Sequence, residues 1–581
     1  MFKHPPLYKI DIKPVFFSFG VGLVALLFAV WLYTPFLNPL DVGWLLNEGD
    51  VFQHYIGWQF FRHEPWQWPL GAINRLATDM HASIVYTDSI PLVALLLKPF
   101  STVLPDPFQY QGIWMLVTFF LNGFFAARLL LKAGCAASLA MPVALLMSTS
   151  TLVTARGLGM HGHEALTAHW VIFLALEYAL LLDAFDRHHL RRWLILLSIT
   201  VLIHFYLFFM VGVLWFAWWL VHALQEVRPQ GKHLIRPSTL LLHLCVPPVI
   251  VLIIMQGAGY FMPGRGAATA GGFGHFSAEL LTFFNPASTA WFFNHGFTSL
   301  SQWLPGWTPP IAGQYEGMAY MGVGVLLLWA LALASVLRPG MRGLERRISA
   351  GFAAVALAVM VLFMYAMAGR ISMPDGSLYL AFDLPFGPIR DYLRSSGRMV
   401  WPLAYALTLW AAVTLAQRLP HKTGLGALGT VLLVLQLFDL QPWHERIRSE
   451  VQQRAAAAQA SLFTALHDPQ LSTQLEQHSG MIAFPAGQLE QLKPYVWLAA
   501  HQHVSINVAY LAGQAPNRGR VVTRRYVEQA QQGTLAPEYI YLITEPSLVP
   551  SVCDRPGWLC RRHGQTTLAW TRKHRVDLNE Y

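Results

Sequence analysis

The sequence predicts an α-helical polytopic membrane protein, with about eleven membrane-crossing helices in residues 1–440 and a small soluble α/β or α+β domain in residues 441–581. Three observations carry that reading. Of 581 residues, 55% are hydrophobic and only 12% charged, too little polar surface to solvate a soluble globule of this size. Apolar runs of roughly 20 residues, the length a bilayer core requires, recur along the first three quarters of the chain. The last 141 residues hold 14 Lys/Arg and 11 Asp/Glu, about a third of all charges in a quarter of the chain.

The expected spans are residues 15–34, 112–131, 138–155, 167–184, 238–257, 317–337, 348–368, 399–417 and 424–440, with residues 193–224 divided in two. That last run is too long for one ordinary span, and His204, Phe205 and Tyr206 midway suggest two short helices that meet there. The start of the chain carries Lys3, Lys9 and Lys13 before an apolar run with no A-x-A-like cleavage site, so the run reads as a retained first span. The 36 Phe, 21 Trp and 20 Tyr of the whole chain suit membrane interfaces.

The net charge of +9 does not point to nucleic acid, because the basic residues are scattered over short loops and form no stripe or arm. They collect instead as Lys3/Lys9/Lys13, Arg128/Lys132, Arg187/Arg191/Arg192, Arg228/Lys232/Arg236, Arg338/Arg342/Arg346/Arg347 and Arg418/Lys422. Placing every cluster on the cytoplasmic side makes the spans alternate consistently. The C-terminal domain and the segments 35–111, 156–166, 258–316 and 369–398 then face outward. This holds only if residues 89–104, apolar but short and interrupted by Pro91, Lys98 and Pro99, do not cross; they are expected to form a juxtamembrane or re-entrant helix.

The candidate chemistry falls on that outer side. LNEGDVFQHYIGWQFFRHEP puts Asp50, Gln53 and His54 on one face of a helix, with Glu48 just before it. A carboxylate there suits a general base for a hydroxyl acceptor or a metal ligand, and the plainer reading is a polar interfacial helix. ARGLGMHGHEALTAHW packs Arg156, His161, His163, Glu164 and His169 between two spans. His161, His163 and Glu164 suit a divalent metal, a sugar or phosphate hydrogen bond, or a solvated interface, and HxHE lacks the spacing of the helical zinc motif.

FGPIRDYLRSSGRMVWP places Arg390, Arg394 and Arg398 four residues apart beside Ser395, Ser396 and Gly397. Guanidiniums donate bidentately to phosphate, and a basic cluster on the outer face runs against the usual charge bias. Snorkelling to lipid headgroups is the alternative, and Asp391 is a possible partner for one of the arginines. Glu316 in QYEGMAYMG stands at the mouth of a span, where an acidic group is costly unless paired or functional. Tyr315 and Tyr320 beside it suit sugar stacking or an aromatic belt.

Among four cysteines, Cys135 and Cys245 lie in or beside apolar segments, while Cys553 and Cys560 bracket the polar turn CDRPGWLC and are candidates for a disulfide in an oxidising compartment. In the C-terminal region residues 445–467 read as a helix, and MIAFPAG, YIYLIT and TTLAW as strands. The glycine-rich GRGAATAGGFG suggests a mobile lid, and WLPGWTPP a turn-rich aromatic stretch. No GxGxxG, P-loop or nucleophile-elbow pattern appears in a strand-to-helix setting, which argues against a cytoplasmic nucleotide site.

GDVFQHYIGWQFFR, TDSIPL, HGHEALTAHW, YEGMAYMG and RSSGRMVWP together make the chain resemble GT-C-type membrane glycosyltransferases, in particular an uncharacterised family of large bacterial membrane proteins grouped with them. The resemblance implies a multi-pass protein of the bacterial cytoplasmic membrane, and the charge bias puts its N-terminus in the cytoplasm. It implies a polyprenyl-phosphate-linked sugar donor, a cell-envelope glycan or lipid acceptor, membrane lipids as surroundings, and no nucleic acid. It also implies inverting transfer with Asp50 as the base. Glu48, Gln53, His54, His161, His163, Glu164, His169, Glu316, Arg390, Arg394 and Arg398 are the candidate substrate-binding groups. A divalent Mg, Mn or Zn ion is a possible cofactor, with Asp50, His161 and His163 as candidate ligands. The competing readings are a non-catalytic transporter or flippase, or an assembly protein, for lipid-linked saccharides.

Overall fold

The computed structural model describes residues 12–47, 49–183, 185–226, 236–263, 272–286, 311–338, 349–372, 379–381, 389–419, 422–457, 469–486, 489–511 and 518–571. Glu48, the WLPGWTPP stretch, most of the glycine-rich stretch and the basic positions Lys3, Lys9, Arg228, Lys232, Arg342, Arg346 and Arg347 lie outside the described residues.

Each expected apolar segment is helical, because continuous apolar sequence in lipid must satisfy its backbone internally. Among the described residues, seven helices are long and apolar enough to cross a membrane: Lys13–Tyr33, Gln111–Lys132, Ala137–Thr154, Glu164–Leu181, Phe205–Gln225, Pro237–Ala258 and Ser396–Arg418. The pair Thr423–Asp439 and Gln441–Ala457, bent by 51°, makes eight if it counts as one span. The chain is thus a multi-pass membrane protein, although length and apolarity alone do not reach the expected count of about eleven. Arg187–Ile203 opens on arginines, and Val323–Leu337 and Ala350–Ala366 are 15 and 17 residues long.

Two local expectations meet the structure directly. The long run 193–224 breaks at His204, whose backbone is extended between the helices Arg187–Ile203 and Phe205–Glu226, though the second of these is a full 22 residues. Within 89–104, the helix Pro91–Leu97 is only 7 residues, roughly 10 Å of rise, before a 3-10 turn at Lys98–Phe100, too short to cross a bilayer core of about 30 Å.

The chain forms two compact units: Met1–Asn38, Gln111–Ile250 and Gly271–Val451 in the first, and Pro39–Tyr110, Val251–Ala270 and Gln452–Tyr581 in the second. The second unit thus groups the first long loop with the C-terminal residues. In the first unit, helix Ile12–Tyr33 packs along Gln111–Lys132 through small residues. A Cβ on Gly123 would sit 2.9 Å from both Val21 O and Ala25 Cβ, so the glycine permits a close helix crossing.

The second unit is built on the helix Gly49–His63, which carries Asp50 in its first turn and Arg62 and His63 in its last, charges that complement the helix dipole at both ends. Residues 51–62 are buried, and their polar members are engaged. Trp58 Nε1 donates to Phe108 O at 3.1 Å, and Arg62 donates to the carbonyls of Ser101, Leu104 and Pro105. The Tyr55 ring stacks on Trp497 of helix Leu489–His501, with centroids 5.3 Å apart.

MIAFPAG, YIYLIT and TTLAW supply strands Gly480–Phe484, Tyr539–Ile543 and Thr566–Thr571, and the expected helix near 445–467 is seen at Gln441–Ala457. The five-stranded sheet runs in the order Ser505–Ile506, Gly480–Phe484, Tyr539–Ile543, Thr566–Thr571, Trp558–His563, with the first three parallel and the last two joined as an antiparallel hairpin. Its edge at Ile506 is covered by the first long loop: Leu76 bridges Ile506, Ile506 N donates to Arg75 O at 2.8 Å, and Thr78 N donates to Ile506 O at 3.2 Å. Covering an edge strand removes a site for unwanted pairing. Asp79 in the same loop accepts from Tyr526 at 2.9 Å and pairs with Arg525. Cys553 and Cys560 are joined in a disulfide, while Cys135 and Cys245 are free.

Gly57 marks where Gly49–His63 meets the TDSIPL segment. A Cβ there would lie 2.1 Å from Thr87 Oγ1 and 2.4 Å from Ser89 Oγ. Gly57→Ala is expected to push this segment off the helix and cost about 1–3 kcal/mol, read as a lower melting temperature with faster proteolysis near residue 88. Unchanged proteolysis would show that the segment accommodates the methyl.

Candidate functional site

In the first unit three short turns converge on one buried carboxylate. Arg156 follows the helix Thr151–Thr154, Glu316 lies in the 3-10 turn Ala312–Gly317, and Arg398 lies in the 3-10 turn Ser396–Val400 that leads into helix Trp401–Arg418 with a proline in its first turn. Arg156 Nη1 donates to Glu316 Oε2 at 2.6 Å and its Nη2 to Glu316 O at 2.9 Å. Arg398 forms a two-point fork, Nε to Oε2 at 2.9 Å and Nη2 to Oε1 at 2.8 Å. Arg156 is 1% exposed, Arg398 4% and Glu316 6%.

Glycines allow the turns to meet. A Cβ on Gly397 would stand 2.5 Å from Gly317 Cα, and Gly397 N donates to Phe276 O at 2.9 Å. The EGM and SSGRM motifs are therefore one contact, written in two distant places.

Aromatic faces surround the charges. The Arg156 guanidinium lies over Trp401, 5.7 Å from the ring centroid, and that of Arg398 over Tyr206 at 4.8 Å. His161 stacks on Tyr315 with centroids 5.7 Å apart, and its ring centroid is 6.0 Å from that of His163. His169 stacks on Trp401 at 4.5 Å and hydrogen-bonds the Tyr405 hydroxyl through Nδ1. Glu164 is fully buried, and its carbonyl accepts from Trp114 Nε1 at 2.9 Å.

Burial, then the positive charge of Arg156, pushes the His161 imidazole down to about 3, and burial followed by Arg398 puts His163 well below its ordinary value. Burial opposes ionisation of Glu316, but Arg398 and Arg156 overcome it and hold the carboxyl well below the usual range. At neutral pH Glu316 is an ionised carboxylate held between two guanidiniums and flanked by two neutral imidazoles.

The structure thus brings Glu316, Arg398, Arg156 and the HGHE segment together. It does not gather the three arginines of the RSSGR segment into one clamp. The helix Ile389–Tyr392 ends before Arg394, so the four-residue spacing does not put them on a common face; Arg390 and Arg394 are exposed, and Arg394 lies over Phe276 at 5.8 Å. Asp50 is half-buried at the start of its helix in the second unit. Gln53 Nε2 donates to Tyr86 O at 3.0 Å, and Gln53 lines a narrow cleft with Phe52, Ile56 and Tyr510. His54 faces Asp88 at 3.9 Å, and its carbonyl accepts from Ser89 at 2.6 Å.

Sequence reasoning passed over Glu279, an acidic residue in the apolar stretch FSAELLTFF, which was itself the available signal. Its Oε1 accepts from Asn285 Nδ2, its Oε2 is buried without a hydrogen-bond partner, and burial raises its pKa from the ordinary 4.5 to about 7. The folded state thus holds this proton more tightly than the unfolded chain. Its stabilising effect is complete below the ordinary value and is lost as pH rises toward about 7, a cost of roughly 3 kcal/mol once ionised. Glu279→Gln is therefore expected to raise the melting temperature near about pH 8 and leave it nearly unchanged near about pH 5. An equal shift at both would exclude ionisation as the cause.

A multi-pass helical membrane protein, with a buried charge cluster among its helix ends and a mixed-sheet C-terminal portion, is the class these features define. The chain belongs to the DUF6311 family: that family's model, a domain of unknown function, matches residues 21–441, and the DUF6311 C-terminal domain matches residues 470–569. Among solved structures, the chain is similar to a crystal structure of ArnT from Cupriavidus metallidurans in the apo state, with 10% identity and a TM-score of 0.43, over 97% of this chain and 98% of that one. No curated protein matches it.

Proposed function

We propose that the protein is a glycosyltransferase of the bacterial cytoplasmic membrane, which moves a sugar from a polyprenyl-phosphate-linked donor to a cell-envelope glycan or lipid acceptor on the outer face. The observation that carries this reading is the buried Arg156–Glu316–Arg398 cluster with its collar of neutral histidines and aromatic rings. Buried charge in an apolar protein is costly, and its retention among helix ends fits a site for an anionic group on a lipid. The motif resemblance to GT-C enzymes supplies the reaction class.

In the proposed reaction the acceptor hydroxyl oxygen attacks the anomeric carbon as the bond from that carbon to the phosphate oxygen breaks. The electron pair leaves with the lipid phosphate, and the hydroxyl proton passes to Asp50.

The test is glycan analysis of the cell envelope in a deletion strain and in strains that carry Asp50→Asn or Arg394→Ala. The same sugar missing in the deletion and Asp50→Asn strains supports the reading. A sugar lost on deletion yet fully present with Asp50→Asn would move the protein to a transporter or assembly role.

A further inference from the structure

The second unit gathers four metal-ligating side chains from three distant stretches of sequence. His63 ends the helix Gly49–His63, Asp106 closes the loop that precedes Tyr110, and His501 ends the helix Leu489–His501, with His503 two residues beyond. His63 Nε2 faces Asp106 Oδ2 at 3.5 Å, and His501 Nδ1 faces Asp106 Oδ1 at 3.9 Å. The His63 and His503 rings lie 4.0 Å apart, and the ligand atoms of His63, Asp106 and His503 fall within 4.8 Å of one another. A tetrahedral zinc site with bonds of about 2.0–2.1 Å spaces its ligand atoms roughly 3.3–3.5 Å apart. Small side-chain rotations close the difference.

The surrounding structure holds these groups in place. Arg75 donates from Nη1 to His503 O and from Nη2 to His63 O, both at 2.9 Å, so one guanidinium ties two of the histidine backbones together. His503 has φ +54°, a conformation that a side-chain-bearing residue adopts only at a cost. Gln59 Nε2 donates to Asp106 Oδ1 at 2.8 Å and orients the carboxylate as an outer partner of a metal ligand does. The His63 Nε2 atom, which faces Asp106 at 3.5 Å, is buried and completes no well-formed hydrogen bond, so it is placed to accept a ligand.

Arg62 and Arg75 oppose a cation nearby, but Arg62 is turned to three backbone carbonyls and Arg75 lies 3.8 Å from Glu64.

We propose that His63, Asp106, His501 and His503 form a divalent transition-metal site, zinc by its three imidazoles and one carboxylate, that clamps the C-terminal portion to the first long loop. Asp50 and His63 stand at opposite ends of one helix, about 20 Å apart by its rise, so this site is separate from the proposed transfer site and does not depend on it.

The experiment uses the full chain in detergent, stripped with chelator, dialysed against zinc chloride and assayed for bound metal, with Co(II) absorption as a second readout. One zinc per chain, a tetrahedral Co(II) spectrum and a zinc-dependent rise in melting temperature are expected. His63→Gln and His503→Gln should each weaken binding by about a hundredfold, and their melting temperatures without zinc show whether they fold. If a variant fails to fold, Gln59→Ala, which leaves all four ligands in place, should weaken binding by about tenfold. Zinc content equal in the parent and folded His63→Gln/His503→Gln chains, or no zinc retained by the parent, overturns the proposal.

Discussion

Glu316→Ala is expected to destabilise the first unit by about 3–5 kcal/mol, seen as a large fall in melting temperature in detergent. The magnitude follows from what is left behind. Arg156 is 1% exposed and directs Nη1 at the Glu316 carboxylate, with Nη2 on the Glu316 backbone carbonyl that alanine keeps, and Arg398 directs Nε and Nη2 at the carboxylate. Removing the carboxylate takes away the negative group that two buried guanidiniums share in a low-dielectric site. Replacing all three by apolar residues of similar volume, as in Arg156→Met, Glu316→Leu and Arg398→Met together, should cost far less or nothing, since desolvation of the charges is then avoided. That triple variant should nonetheless be inactive if the cluster serves a lipid phosphate. A loss below about 1 kcal/mol for Glu316→Ala would mean that water or lipid headgroups already solvate the arginines.

Asp50→Asn is expected to lower transfer by about 10²–10⁴-fold with little change in folding. Asp50 is half-buried in the first turn of its helix, where a carboxylate contributes only about 0.3–1 kcal/mol through the helix dipole. Asparagine keeps the size and shape but lacks the basicity to accept the acceptor's proton. The measurement is transfer by purified protein to a defined acceptor, beside a melting curve. A loss smaller than about tenfold with normal folding would remove Asp50 from the role of base.

Both effects depend on residues whose importance was partly legible in the sequence. Asp50, Glu316 and Arg398 stand out as charges beside apolar runs, where each must be functional or paired. The pairing itself was not legible. Glu316 and Arg398 are 82 positions apart, and Arg156 lies 160 positions from Glu316. The regular spacing of Arg390, Arg394 and Arg398 suggested a common clamp, but the helix that would have aligned them ends at Tyr392. Glu279 escaped notice because its neighbours read as an ordinary apolar stretch, and only burial reveals the unpartnered oxygen.

By itself, the sequence determined what is local. Hydropathy placed the apolar helices, His204 marked the break between two of them, Pro91 and Pro99 bounded a helix too short to cross, and alternating apolar residues marked three strands of the C-terminal sheet. These follow from the length of an apolar run and the period of its side chains, which any window of the chain carries in full. Only the tertiary structure decided which distant charges share a site and which segments share a core. It joined Arg156 and Arg398 on Glu316, set Leu76 against the sheet edge at Ile506, and brought His63 and Asp106 to His501 and His503. The reason is physical: a buried charge or an exposed strand edge must find a partner, yet any group of suitable chemistry elsewhere in the chain satisfies that need. Local sequence states the requirement, and only packing selects the partner.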